Sequence, residues 1–252
     1  MRQMLIAGNW KMNCTIEEAV QLSSAIRQGL GAVIGVEVVL CPPFIDLQAV
    51  QSILKETGIQ LGAQNVYHED AGAYTGEISP RMLEGLCRFA IVGHSERRQL
   101  LGDSDEAIAR KVYALVRHNI TPILCIGETL SEYDANQTSA VLERQLMAVL
   151  RESEPIPNLV IAYEPVWAIG TGKSADAEAI NATVSAIRSL LASTWGANTG
   201  EEIRILYGGS VTSGNVAAYA RQPEVDGALV GGASLRAQEF CDIVFAAAST
   251  RR

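Results

Sequence analysis

The sequence predicts an α/β protein, a closed (β/α)8 barrel of eight parallel strands surrounded by helices. Three observations support this fold class: short apolar runs recur along the 252 residues, segments with helical spacing lie between them, and no low-complexity linker divides the chain. Strands that alternate with helices pair in parallel through right-handed crossovers. Eight such units in about 250 residues fit a closed barrel better than the alternative, an open doubly wound sheet. We therefore expect a single domain over residues 1–252.

The predicted strands are apolar runs of four to seven residues bounded by polar residues, Gly or Pro, as expected for strands buried on both faces. They are MLIAGN (4–9), VEVVLC (36–41), IQLGA (59–63), FAIVG (89–93), TPILCIG (121–127), LVIAY (159–163), RILYG (204–208) and GALVG (227–231). Helices are predicted at 15–31, 44–56, 79–87, 104–118, 138–151, 176–194, 212–220 and 234–248. In the first of these, Thr15 followed by Glu18 is typical of a capping box.

Composition excludes several functional classes. The net charge is −8, and no basic stripe is present to neutralise phosphates, which argues against a nucleic-acid partner. The five cysteines are widely spaced without a CxxC pair, which favours reduced thiols in a cytosolic protein over a disulfide framework or zinc ribbon. No signal-peptide pattern and no apolar run of membrane-spanning length occurs. We expect a cytoplasmic protein with no membrane partner.

Polar residues that can carry chemistry follow the predicted strands, where a barrel places its active site. They are Asn9-Trp10-Lys11, Gly93-His94-Ser95-Glu96, Glu164, Gly208-Gly209-Ser210 and Gly231-Gly232. Glu164 fits a general base, because a partly desolvated barrel mouth would raise the pKa of its carboxyl; a surface Glu is the alternative. Lys11 fits an electrostatic role or a Schiff base, with an ordinary surface lysine as the alternative.

His94 precedes Ser95-Glu96, which has the pattern of a helix start. The partial positive charge of a helix N-terminus disfavours imidazolium, so a neutral imidazole there could donate a hydrogen bond to a developing oxyanion. A structural, hydrogen-bonded histidine is the alternative. The three histidines have no metal-ligand spacing, which predicts no metal site.

Two glycine-rich turns, YGGS (207–210) and LVGGAS (229–234), each follow a strand. Exposed N–H groups at such turns bind phosphate, and barrels often place a phosphate site after strands seven and eight. The stretch GTGKS (170–174) is not a Walker loop, because Trp167 stands where the first glycine would be.

Over essentially its whole length the chain resembles the triosephosphate isomerase family. The resemblance rests on GNWKMN (8–13), IVGHSERR (91–98), CIGE (125–128), AYEPVWAIGTGK (162–173), YGGSV (207–211) and LVGGASL (229–235). It implies a TIM barrel that interconverts dihydroxyacetone phosphate and D-glyceraldehyde 3-phosphate in glycolysis and gluconeogenesis, without a cofactor. A Schiff-base aldolase using Lys11 and a non-catalytic phosphate-binding or adhesion barrel are the competing functions.

The resemblance also implies roles for individual residues. Glu164 would shuttle the proton between C1 and C2, and His94 would polarise the carbonyl as a neutral imidazole, as in this family. Lys11 would supply positive charge to enediolate and phosphate, and Asn9 would orient the substrate. Backbone N–H groups would hold the phosphate at Gly170, Ser210, Gly231 and Gly232. Ser95, Glu96, Cys125, Glu128 and Tyr207 would support the site, Glu96 as a buried acidic residue behind it.

Residues 165–173 are expected to form a lid over Glu164: Pro165, Val166, Trp167, Ala168, Ile169, Gly170, Thr171, Gly172 and Lys173. Pro165 would stiffen the first hinge, and Trp167 and Ile169 would offer apolar surface to close over the site. The long third loop, QNVYHEDAGAYTGEIS (64–79), resembles the loop through which the family forms homodimers. The residues expected at that interface are Asn13, Cys14, Gln64, Thr75 and Glu77; for Cys14 a buried inert thiol is the alternative.

Overall fold

A computed structural model describes residues 2–32, 34–156, 158–169 and 175–251. Eight parallel strands close into a barrel in chain order, with the last hydrogen bonded to the first. They are β1 (Met4–Asn9), β2 (Val36–Cys41), β3 (Ile59–Ala63), β4 (Phe89–Val92), β5 (Thr121–Ile126), β6 (Val160–Tyr163), β7 (Arg204–Tyr207) and β8 (Gly227–Val230). Each bound lies within a residue of its prediction, and the predicted fold class is confirmed.

Helices connect the strands and surround the barrel. They are α1 (Ile16–Leu30), α2 (Leu47–Leu54), α3 (Pro80–Leu83), α4 (Ser95–Leu100), α5 (Asp105–Arg117), α6 (Leu130–Asp134), α7 (Thr138–Leu150), α8 (Ala177–Trp195), α9 (Ala197–Glu202), α10 (Val216–Ala220) and α11 (Ala237–Ala248). The capping box predicted for α1 is present, because Thr15 and Glu18 exchange side-chain and backbone hydrogen bonds. Within the described residues, no helix has the length and apolar character needed to span a membrane.

Four α-helices are shorter than their sequence patterns predicted. The segment 44–56 begins with a 3-10 turn, Phe44–Asp46, and is α-helical only over α2. The segment 79–87 is helical only over α3, since Glu84 is extended and Gly85 turns the chain at φ +73°. The segment 234–248 begins its α-helix at Ala237, because Gly232–Leu235 forms a 3-10 turn first. The segment 212–220 is α-helical only over α10. The short helices α6 and α9 were not predicted.

The barrel interior is a packed core rather than a channel. Buried side chains fill it from alternating strand positions: Leu5, Ala7, Val39, Cys41, Phe89, Ile91, Ile123, Cys125, Val160, Ala162, Leu206 and Leu229. The other strand face packs against the helices in a second, larger cluster. Burial of both faces explains why the strands are continuous apolar runs. A filled interior also restricts ligand access to the ends of the barrel.

A buried ion-pair network closes the end of the barrel at which the strands begin. Arg188 of α8 donates to Asp226 Oδ2 at 3.0 Å, to Glu224 Oε2 at 2.7 Å and to three backbone carbonyls. Asp226, fully buried just before β8, also accepts from Arg2 Nε at 2.8 Å. Because these groups lie opposite the strand C-termini, we attribute a stabilising role to them.

A second cluster ties the long third loop to the barrel. The two ring nitrogens of His118, just after α5, each lie 3.0 Å from a carboxylate, Nδ1 from Glu84 and Nε2 from Asp70 of the loop. The hydrogen bond to Glu84, with that to Asp70, raises the pKa of His118 above its usual value. Protonated His118 therefore bridges two acidic groups.

Candidate active site

A cavity of about 280 Å³ opens at the end of the barrel where the strands finish. The sequence-predicted residues that line it are Asn9, Lys11, His94, Glu164, Ile169, Ser210, Gly231 and Gly232. Gly170, predicted to bind phosphate, falls outside the described residues. The barrel therefore brings together polar groups that are up to 223 positions apart in the chain, from Asn9 to Gly232.

Glu164 directly follows β6, and its backbone N–H continues the strand pairing by donating to Ile126 O at 2.7 Å. Its side chain is only 2% exposed. Oε2 accepts the Ser95 N–H at 2.9 Å, whereas Oε1 has no hydrogen-bond partner among the described residues. Oε1 lies 3.1 Å from His94 Nε2, but without the alignment of a hydrogen bond. One carboxylate oxygen is therefore anchored and the other remains available for a proton.

His94 is the N-cap residue of α4, so the helix start that the sequence predicted is confirmed. Its Nδ1 accepts the N–H of Glu96 at 3.3 Å, while the Glu96 carboxylate is 3.6 Å away. An Nδ1 that accepts carries no proton, so the neutral ring carries its proton on Nε2, the nitrogen beside Glu164. The imidazole can therefore act as a hydrogen-bond donor in the cavity.

Lys11 lies in the left-handed region at φ +56°, a costly conformation for a residue other than glycine. Two side chains hold its backbone: Asn9 Oδ1 accepts its N–H at 3.1 Å, and Gln64 Nε2 donates to its carbonyl at 2.8 Å. Gln64 Nε2 also donates to Cys41 O at 2.9 Å. Gln64, predicted only as an interface residue, thus fixes the first loop within its own chain.

The predicted burial of Glu96 is wrong. Its side chain is 44% exposed, and Oε1 contacts Lys11 Nζ at 2.5 Å. As the second residue of α4, Glu96 reaches across the opening toward the loop after β1 instead of packing behind the site. It therefore neutralises the Lys11 amine at the cavity mouth.

The glycine-rich turns form the wall of the cavity beside Lys11 and Glu164. A methyl group on Gly231 would be in ordinary van der Waals contact with Lys11, 3.4 Å from Cε and 3.8 Å from Nζ, and one on Gly208 would lie 2.9 Å from Glu164 Cγ. Gly232 begins the 3-10 turn, and Asn215 Nδ2 holds the Ser210 carbonyl at 3.0 Å. Backbone N–H groups and the lysine amine thus share one side of the cavity.

Arg236 also lines this cavity and is exposed. Arg236 was not predicted as a site residue from the sequence, where its position just after LVGGASL was the available signal. It adds a second cation near the glycine-rich wall in a chain whose net charge is −8.

The described part of the expected lid begins with buried Pro165 and a 3-10 turn, Val166–Ala168. Ile169 reaches the cavity. Residues Gly170, Thr171, Gly172 and Lys173 lie outside the described residues. Trp167 is half-buried, and its ring packs on Tyr133 with centroids 4.6 Å apart.

Glu128, which follows β5, holds the first residues of the expected lid through hydrogen bonds. It is fully buried, and it accepts from Trp167 Nε1 at 2.8 Å and from the Tyr163 hydroxyl at 3.1 Å. Burial raises the pKa of the Glu128 carboxyl, which the indole and phenol donors oppose. Tyr163 was not predicted as part of this group, since its position within an apolar strand gives no functional signal.

The remaining supporting residues lie beneath the site. Cys125 is fully buried in the barrel interior, and burial together with the neighbouring Glu164 carboxylate raises the pKa of its thiol. Tyr207 is also fully buried, and its ring stacks on Tyr219 with centroids 4.1 Å apart. Cys125 thus lies inside the barrel, whereas Tyr207 packs on the outer face of the strands, in the cluster shared with the helices.

A sequence model of the triosephosphate isomerase family matches residues 4–247 of the chain. The chain belongs to the triosephosphate isomerase family. Its similar relatives include the triosephosphate isomerases of Dehalococcoides mccartyi, 47% identical over 100% of both chains, and of Symbiobacterium thermophilum, 49% identical over 100% of this chain and 99% of the relative. That of Clostridium botulinum is 47% identical over 97% of this chain and 99% of its own.

Membership in the triosephosphate isomerase family makes this protein an isomerase. Within the described ranges, the structure shows no group of three or more His, Cys, Asp or Glu side chains able to hold a metal ion.

Proposed function

We propose that this chain interconverts dihydroxyacetone phosphate and D-glyceraldehyde 3-phosphate through an enediolate, with Glu164 as the base and His94 as the electrophile. The observation that supports the proposal is the proximity of the Glu164 carboxylate and the His94 imidazole. The unpartnered Glu164 Oε1 lies 3.1 Å from His94 Nε2, in a cavity that also holds Lys11 and two glycine-rich turns. A base and a hydrogen-bond donor on one small cavity are what enolisation next to a carbonyl requires.

Glu164 transfers the proton. It removes one from C1 of dihydroxyacetone phosphate and returns one to C2, while the hydroxyl proton of O1 moves to O2 by way of His94 Nε2, so that no net proton is gained or lost. The hydrogen bond from the Ser95 N–H fixes Glu164 Oε2, and Glu164 Oε1 remains without a partner among the described residues and can face the substrate. A base must lie within about 3 Å of the proton it takes, and at 2% exposure the Glu164 carboxylate is largely removed from solvent.

His94 and Lys11 stabilise the negative charge that develops on the substrate oxygens. The His94 Nε2–H donates as a neutral imidazole, and the Lys11 amine supplies a positive charge. Asn9 Oδ1 accepts the Lys11 N–H, which leaves the amide NH2 group of Asn9 to orient a substrate oxygen. The bound enediolate would compete with Glu96 for the Lys11 amine.

The phosphate binds at the glycine-rich wall. Backbone N–H groups of Ser210, Gly231 and Gly232 suit a phosphate dianion, and Gly170 joins them when residues 165–173 close as a lid. Closure excludes water, and it prevents the enediolate from losing its phosphate by elimination. The bond from Trp167 to buried Glu128 fixes the first part of this lid.

We further propose that two chains form a homodimer through the third loop. Residues 69–77, which include Thr75 and Glu77, are all exposed. Gln64 ties this loop to the first and second loops, which carry exposed Met12 (97%) and Ile45 (70%). A continuous, partly apolar surface of this kind suits a second copy. Sedimentation equilibrium giving the mass of two chains supports this, and the mass of one chain contradicts it.

Substitution of the base tests the reaction. Glu164→Gln should keep the fold and lower kcat on dihydroxyacetone phosphate by about a thousandfold or more, since loss of general-base catalysis costs about 10² to 10⁴. The wild type should incorporate solvent deuterium into the substrate. Glu178→Gln, an exposed residue of α8, is the control and should retain full activity. Near-normal kcat in Glu164→Gln would refute the proposed base, and a borohydride-trapped adduct at Lys11 would support the aldolase alternative.

A further inference from the structure

Gln145 is a buried polar side chain of α7 that the sequence analysis did not predict. It is 5% exposed, and its amide makes two hydrogen bonds to one residue, Gly127. Gln145 Oε1 accepts the Gly127 N–H at 2.8 Å, and Nε2 donates to the Gly127 carbonyl at 3.1 Å. One side chain therefore satisfies both backbone groups of Gly127.

The barrel explains why Gly127 needs such a partner. The pairing between β4 and β5 ends at Val92 and Leu124, because the chain turns away at Gly93 with φ +73°. Beyond that point the β5 chain has lost its neighbouring strand on this side. Buried backbone groups that lose a ladder partner need another one, and Gln145 supplies it for Gly127.

On its other side, Gly127 contacts the backbone of Glu164. A methyl group placed on Gly127 would lie 1.7 Å from the Glu164 carbonyl oxygen and 2.6 Å from its carbonyl carbon. Hydrogen bonds from Glu164 N to Ile126 O (2.7 Å) and from Val166 N to Glu128 O (3.1 Å) join the same two segments. The loop after β5 is thus the surface on which the Glu164 backbone rests.

We infer that Gln145 is a positioning residue for the isomerase reaction: by clamping Gly127 it fixes the backbone from which the Glu164 carboxylate projects. The inference rests on the proposed role of Glu164 as the base. Misplacement of a reacting group by about 1 Å can cost about a hundredfold in rate. The phosphate wall lies on β7 and β8, away from Gln145, so substrate affinity should depend little on the clamp.

Gln145→Met tests the inference, because it keeps the side-chain length and removes both hydrogen bonds. We expect kcat to fall about ten- to a hundredfold, with KM and the inhibition constant of inorganic phosphate within about twofold of wild type. Gln145→Glu, which retains the acceptor for the Gly127 N–H, should lose less kcat than Gln145→Met. If Gln145→Met fails to fold, the kcat of Gln145→Glu relative to wild type is measured in its place.

Val149→Ala is the control for lost stability. Val149 is fully buried one turn further along α7, and no hydrogen bond among the described residues joins it to Gly127. Assayed below the unfolding transitions, Gln145→Met should have a much lower kcat than Val149→Ala. A kcat equal to that of Val149→Ala would overturn the inference. If Glu164→Gln is inactive in the same assay, the proposed reaction stands even then; an active Glu164→Gln would instead refute the proposed base.

Discussion

Replacement of Gly127 by alanine should separate the loop after β5 from Glu164, the residue that follows β6. An added Cβ would lie 1.7 Å from the Glu164 carbonyl oxygen, and the clashing atoms are backbone atoms that cannot rotate away. Carbon and carbonyl oxygen normally touch at about 3.3 Å, so the two segments must part by about 1.6 Å. Such a shift exceeds the about 1 Å misplacement that costs about a hundredfold in rate.

We therefore expect Gly127→Ala to lower kcat on dihydroxyacetone phosphate at least about a hundredfold, with a smaller change in KM. The free energy of unfolding should also fall, by about 1–3 kcal/mol, because overpacking strains a filled interior. A coupled isomerase assay at a temperature well below the thermal midpoint, with circular dichroism to confirm folding, measures both effects.

Gly58→Ala is the matched control. A Cβ at Gly58 has no heavy atom within 4 Å, and its φ lies outside the left-handed region. This variant should keep wild-type kcat and gain up to about 1 kcal/mol of stability from the stiffer unfolded chain. A kcat of Gly127→Ala within about threefold of Gly58→Ala would refute the argument that Gly127 determines the position of Glu164.

Two further predictions concern stability away from the cavity. His118 has a pKa raised by Glu84 and Asp70, so its ion pairs stabilise the fold fully below about pH 6.5, the unfolded pKa, and are lost as pH rises through the folded pKa. The thermal midpoint difference between wild type and His118→Gln should therefore be larger at pH 5.5 than at pH 8.5, and equal differences would contradict this. Arg188→Met leaves buried Asp226 without one cation and should cost about 3 kcal/mol in urea unfolding without changing kcat. A lowered kcat at unchanged stability would show that this network serves the reaction instead.

The strands could be predicted closely because their signal is local. A strand buried on both faces is a continuous apolar run, and its end is marked where polar residues or glycine begin. Short helices were harder: α3 extends over only Pro80–Leu83, too few residues for a helical period to distinguish from a turn. Where Gly85 or Gly232 changes the backbone path, the helical pattern continues in sequence although the helix does not.

Partners within the site could not be predicted in the same way. Gln145 meets Gly127 from 18 positions away, and Gln64 meets Lys11 from 53 positions away. A glutamine on an α-helix or in a loop has no spacing that reveals which carbonyl it will contact. The exposure of Glu96 was missed for a related reason, since burial depends on which loop lies across the opening.

The sequence by itself determined the barrel and the end of it at which Asn9, Lys11, His94 and Glu164 meet. The order and burial of the strands follow from local sequence patterns. Because the strands are parallel, closing them into a barrel brings every strand C-terminus to one end of it. Only the tertiary structure decided which Glu164 oxygen is anchored and which has no hydrogen-bond partner among the described residues, and how Gly127 is held between Gln145 and the Glu164 backbone. Those features depend on distances of a few ångströms between segments far apart in the chain, which packing alone sets.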